Sequence, residues 1–159
     1  MHLESGITVK QSLNEVIAFF YHPDSLAQWD RSVASMIPQP PSTANSSPTF
    51  ETIAPSGMKM NYEVIEMDPD GRSVKILLTQ SKMFKKAIWH FEFAPVPEGT
   101  RVTCHIYFTL RIKYYFLYPV LFFNKSALLR DLKFFQIALD NFRNNTANPA
   151  GGEPHNKTT

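Results

Sequence analysis

Cysteine is nearly absent from the chain. Cys104 stands alone among 159 residues, which excludes an internal disulfide and leaves no CxxC or Cys/His zinc motif. An excess of one charge is lacking as well. Lys and Arg total 16 and Asp and Glu 14, a formal net charge of +2, and the basic residues are scattered, which excludes the dense cationic stripe that phosphate backbones require. Nucleic acid is therefore not an expected partner. The opening MHLESGITVK carries a glutamate and no apolar core of the secretory kind, so a reducing, cytoplasmic setting is expected. Long apolar runs are missing too. The most apolar stretch, YYFLYPVLFF (Tyr114 to Phe123), is ten residues, against the roughly twenty that a membrane-spanning helix needs, so stable membrane insertion is not expected. No internal repeat is present, and no metal site or cofactor is read from the spacing of His, Asp and Glu.

What the chain does have is aromatic and soft apolar surface. Hydrophobic residues make up 43% and include 13 Phe and 6 Met, a composition suited to irregular, adaptable apolar walls. The length matches one domain with a real core.

Along the chain, Ile7-Thr8-Val9 reads as a short strand ending at Ser12, where Ser12 and Glu15 form an S-x-x-E capping box for a helix through about Tyr21. A second short helix is expected from about Asp24, carrying Leu26 and Trp29. The segment from Pro38 to Thr49, with four prolines, reads as a loop. From Thr49 the period becomes two. Strand-like runs are separated by Pro55-Ser56-Gly57, Asp68-Pro69-Asp70-Gly71 and Pro97-Glu98-Gly99, which predicts an antiparallel meander. Its expected inward set is Met60, Tyr62, Val64, Ile76, Leu78, Gln80, Trp89, Phe91, Cys104, Ile106 and Phe108. From about Tyr118 to Asn144 the period turns helical: Leu121, Leu128, Leu132, Phe135, Leu139 and Phe142 form one stripe, with Pro119 in the first turn. Residues 1–144 are thus expected to form one domain, a curved antiparallel sheet gripping a long C-terminal helix with two short helices near the N-terminus. Residues 145–159 are expected to be a disordered tail.

The segments ITVKQSLNEVIAFFYHPDSLAQWD, MNYEVIEMDPDGRSVKI, IWHFEFAPVPEGTRVTCHIYF and LLRDLKFFQIALDNF, in this order and spacing, resemble the START-like, pollen-allergen-like (SRPBCC) superfamily. The likeness is strongest to its polyketide cyclase/dehydrase and lipid-transport branch and spans about residues 5 to 143. It implies an α+β helix-grip fold of about seven strands with a large apolar cavity between sheet and helix. One fold hosts many reactions, so it implies no single activity.

Placed in that architecture, Trp29, Met60, Gln80, Trp89, Phe91, Cys104, Phe108, Phe116, Leu128 and Phe135 are the expected ligand-binding residues, with Tyr114 to Phe123 as an aromatic wall or lid. The same rings read more readily as ordinary core that fills what would otherwise be a hole. Tyr62 and Asp131 are the expected catalytic pair. A cavity tyrosine can donate to a carbonyl and stabilise a developing enolate, and a carboxylate at an apolar edge has a raised pKa suited to acid or base work. Asp30 and Asn124 are comparable edge groups; His90 and His105 fall on polar strand faces and read as solvated; His22 lies at a helix boundary. Phe123, Phe134 and Ile137 fall on the back of the long helix and point to a homodimer or partner contact, or to scattered exposure of the ordinary kind. The function expected is a cofactor-independent cyclase, isomerase or dehydratase acting on an apolar polyketide- or terpenoid-like intermediate. The alternative is a non-catalytic carrier of a lipid or other hydrophobic small molecule.

Overall fold

The computed structural model describes residues 1–41, 46–122 and 125–147. Among these residues seven strands form one antiparallel sheet: β1 (His2–Val9), β2 (Ser35–Gln39), β3 (Thr49–Ile53), β4 (Lys59–Met67), β5 (Ser73–Leu78), β6 (Phe84–Val96) and β7 (Gly99–Leu110). Their spatial order is β1-β7-β6-β5-β4-β3-β2, a meander onto whose last strand the N-terminal strand is added. The helices α1 (Leu13–Phe20) and α2 (Ser25–Trp29) follow β1. A 3-10 turn (Ile112–Leu117), α3 (Tyr118–Phe122) and the long α4 (Lys125–Ala147) follow β7. Helix α4 packs against β1, α1 and α2, giving the helix-grip arrangement.

Local chemistry explains most of these boundaries. Helix α1 starts at a complete capping box: the Ser12 N–H donates to Glu15 Oε2 at 2.9 Å, and Ser12 Oγ accepts from the Glu15 N–H at 3.4 Å. The β6–β7 hairpin turns at Gly99, whose φ of +139° and whose closeness to Val9 O, 2.0 Å from where a Cβ would stand, leave no room for a side chain. Strand β2 runs two residues, Pro38 and Gln39, into the segment expected to be a loop. It is an edge strand, where the missing proline N–H costs no ladder bond, and Pro38 pairs opposite Phe50.

Alternation and register together build the concave face. Leu3, Ile106, Trp89, Ile76 and Val64 line up as a row across β1, β7, β6, β5 and β4. Cys104, Phe91 and Val74 form the next row, and burial follows this face, with Val102, Cys104, Phe93 and Val74 nearly inaccessible. Phe135 of α4, 1% exposed, lies between the rings of Phe19 at 5.3 Å and Trp29 at 5.5 Å. Leu132 and Leu139 complete the buried stripe of α4.

The C-terminal region opens with an element that the sequence reading does not include. The aromatic run divides into the 3-10 turn and α3, and α4 continues through Ala147, into the segment expected to be tail from residue 145. The 3-10 period of three puts Tyr114 and Leu117 on one side, where with Tyr118 and Leu121 they pack against Leu78, Ala87, Phe108 and Leu110. Ile112, Phe116 and Val120 face outward. Phe134 is half-buried against the core with the Arg31 guanidinium 5.4 Å from its ring centroid, so it does not stand on a wet back of the helix; Ile137 is exposed. Phe123 and Asn124 lie outside the described residues.

Candidate functional site

Between the concave face and α4 lies a cavity of about 550 Å³, a size that takes a small organic molecule. Its floor is Ile76, Trp89, Phe91, Cys104, Ile106 and Phe108. Its roof is Leu26 and Trp29 of α2 with Ala127, Leu128 and Leu132 of α4, and Leu121 borders one end. Aromatic contacts stiffen the β4 side: the Tyr62 ring stacks on Phe50 at 5.2 Å and meets Trp89 edge-on at 5.8 Å.

Polar groups are few. Tyr62 and Thr52 reach the cavity from the sheet; Asp30, Arg31 and Ser32, just after α2, and Arg130 and Asp131 of α4 border it opposite. The Tyr62 hydroxyl donates to Met60 Sδ at 3.7 Å, a weak acceptor. Burial raises its pKa above the ordinary 10.0; the adjacent Thr52 hydroxyl offsets part of that without meeting hydrogen-bond geometry, and the Asp30 charge adds to the rise. The phenol is thus a neutral donor at neutral pH. Burial also lifts the Asp131 carboxyl above the ordinary 3.8, with Asp30 pushing the same way and Arg130 and Arg31 opposing. Among the described residues Asp131 has no hydrogen bond and no ion pair, including with Arg130 or Lys133, whereas Asp30 Oδ1 accepts from the Ser32 N–H at 2.9 Å and from Ser32 Oγ at 2.6 Å. Asp30 is tied down, and Asp131 is free to face a ligand. Cys104, fully buried, is driven far up in pKa by burial and then by Asp131 and Asp30, so it stays a thiol. The buried Trp29 Nε1 has no hydrogen-bond partner among the described residues.

Of the expected site residues, Tyr62, Asp131, Trp29, Trp89, Phe91, Cys104, Phe108 and Leu128 come together on this cavity. Four do not. Gln80 lies beyond the end of β5, where the chain turns over Ser81, so alternation no longer carries it inward, and it is exposed. Phe116 is 72% exposed, turned out by the 3-10 period. Met60 is half-buried in the satellite cluster behind Tyr62, and Phe135 is core beyond the cavity. His22 also lies elsewhere, its ring against Phe142. Thr52, Phe50 and Arg31 are cavity residues that sequence reasoning missed. Phe50 and Thr52 alternate on a five-residue strand behind the proline-rich segment, and a charged Arg next to Asp30 reads as surface.

Among the described residues no helix is long and apolar enough to cross a membrane. No curated protein sequence matches the chain. Among solved structures, a START superfamily protein from Mycobacterium smegmatis superposes with a TM-score of 0.71 at 13% identity, covering 89% of this chain and 98% of that one. A protein from Thermus thermophilus does so at 0.70 and 16% identity, covering 89% and 99%. The di-domain ARO/CYC StfQ from the steffimycin biosynthetic pathway gives 0.65 at 14% identity, covering 90% of this chain and 51% of that one. At such identities these likenesses speak for the fold. The match to a family as such is in sequence, over residues 1–143, and it spans every element from β1 into α4, including both sides of the cavity. By that match, and with the grip of sheet on helix that it leads one to expect, the chain belongs to the polyketide cyclase/dehydrase and lipid-transport family.

Proposed function

We propose that the cavity holds an apolar polyketide- or terpenoid-like molecule and that the protein acts on it as a cofactor-independent cyclase, isomerase or dehydratase. One observation carries this reading: on a mostly apolar cavity, a neutral phenol at Tyr62 on the sheet and a carboxyl at Asp131 on α4, which has no hydrogen bond or ion pair among the described residues, both border the enclosed space. Enclosure holds a flexible substrate in a reactive fold and so removes part of the entropic barrier. Asp131 then takes a proton from the carbon next to a carbonyl, and the raised pKa makes it a stronger base than an ordinary carboxylate. Tyr62 donates a hydrogen bond to the carbonyl oxygen as negative charge develops there. Return of the proton from Asp131 to another carbon gives isomerisation; its delivery to a departing hydroxyl gives dehydration.

The predominance of apolar walls favours a second reading, a carrier that shelters a hydrophobic molecule without changing it. Native mass spectrometry of protein from its own source, followed by incubation of any co-purifying molecule with fresh protein, tests the two. Conversion that falls about 100- to 10,000-fold in Tyr62→Phe and in Asp131→Asn, with binding retained, supports the enzyme. Return of the molecule unchanged supports the carrier.

A further inference from the structure

A second cluster of chemically capable side chains lies on the opposite, outward face of the sheet. Register builds it from three strands. Glu4 of β1 and His90 of β6 both pair directly opposite His105 of β7; His2 stands two residues before Glu4, and Glu92 two after His90. Both are thereby on the same face. His2 Nε2 is 3.2 Å from His105 Nδ1, Glu4 Oε2 is 3.5 Å from the same nitrogen, and His105 Nε2 is 3.0 Å from Glu92 Oε2. Beyond Glu92, His90 Nε2 lies 3.7 Å from Glu92 Oε1 and 2.9 Å from Ser73 Oγ.

We propose that His2, Glu4 and His105 form a binding site for a divalent transition metal of the Zn²⁺ class, with His105 bound through Nδ1. Three features carry the assignment. The donor atoms of these residues all lie within 4.8 Å of one another, and the two distances from His105 Nδ1 bracket the roughly 3.3 Å edge of a tetrahedron with metal–ligand bonds of about 2.0–2.1 Å. The donor set of two imidazoles and one carboxylate suits Zn²⁺ and its neighbours and leaves a fourth position open to water. Most telling is the other side of His105, whose Nε2–H donates to Glu92. That is the carboxylate–histidine arrangement which fixes the tautomer, turns the Nδ1 lone pair to the metal and strengthens it as a ligand.

In the alternative triad, His90, Glu92 and His105, His90 Nε2 is already engaged by Ser73 Oγ and His105 Nε2 by Glu92, so the ion belongs on the β1 side, at His105 Nδ1. There it replaces the proton held between His2 and His105. Glu4 supplies one negative charge directly and Glu92 a second through His105, which balances a divalent ion. The His2 ring, stacked on Tyr107 at 4.5 Å, is held in place before the ion arrives. Because the ligands come from β1 and β7, a bound ion would clamp the N-terminal edge strand to the sheet.

The test is titration of the untagged full chain, stripped with EDTA, with ZnCl₂ in a non-chelating buffer, followed by calorimetry and by melting temperature. One Zn²⁺ per chain and a rise in Tm are expected. His105→Ala and His2→Ala should each abolish both effects while keeping the metal-free Tm and far-UV circular dichroism of the wild type. Glu92→Gln should keep the stoichiometry and weaken binding about 10- to 100-fold, and His90→Ala should change it little. Absence of saturable binding would overturn the site. So would binding that survives loss of His2 and His105, and binding lost with His90 but not with His2 would overturn the ligand assignment.

Discussion

Tyr62 and Asp131 differ from the many other tyrosines and aspartates of the chain in environment and not in identity. Each borders the cavity, and each has its neutral form favoured by burial and by the Asp30 charge. That environment has a consequence for stability as well as for chemistry. In the folded chain Asp131 keeps its proton to higher pH than in the unfolded chain, so the folded state binds more protons between the two pKa values. Stability of the wild type therefore falls as pH rises from the ordinary 3.8 through the raised folded value, a loss that Asp131→Asn does not share. Urea denaturation at stepped pH should show the variant gaining on the wild type across that window and level above it. A difference independent of pH would mean that burial at Asp131 has no electrostatic cost.

At the scale of elements, most boundaries were legible locally. The capping box at Ser12, the turn signals and the period-two runs each act over a few residues, and strands β3 to β7 and α1 stand where they place them, while β1 starts at His2, ahead of the expected Ile7-Thr8-Val9. Strand β2 was not legible, because its proline conceals an edge strand whose only requirement is a neighbour in β3. The aromatic run misled for a related reason. Its apolar composition is the same whether the period is 3.0 or 3.6, and only packing against Phe108 and Leu110 selects the 3-10 turn that points Phe116 out. Helix α4 owes its position to the buried stripe, so Phe135→Ala, which empties the space between Phe19 and Trp29, should lower unfolding free energy by about 3–5 kcal/mol. Chemical denaturation checks this. Ser12→Ala should cost only about 1 kcal/mol, the typical value of an N-cap.

The molecule as a whole is a sheet with two chemically different faces, one enclosing apolar space and one presenting a polar cluster. If the cavity is the ligand site, filling it should remove binding without harming the fold. Ala127→Phe places a ring into open volume from α4, so the melting temperature should stay within a few degrees of the wild type while enhancement of the fluorescent probe ANS falls at least about tenfold. Retained fluorescence would locate apolar binding on the exposed side chains Ile112, Phe116 and Val120 instead.

Periodicity by itself determined most of the architecture: a meander dry on one face, and a long helix with a buried stripe. These are properties of side chains within a few residues of one another, and burial of apolar surface acts on them wherever the chain goes. Tertiary structure alone decided which side chains meet. Tyr62 and Asp131 are separated by most of the sheet in sequence, and His2 reaches His105 only because β1 pairs with β7 in one register. A shift of its strand by a single residue would send Tyr62, His2 or His105 to the opposite face of the sheet, which is why the sites of this protein are written in its pairing and not in its motifs.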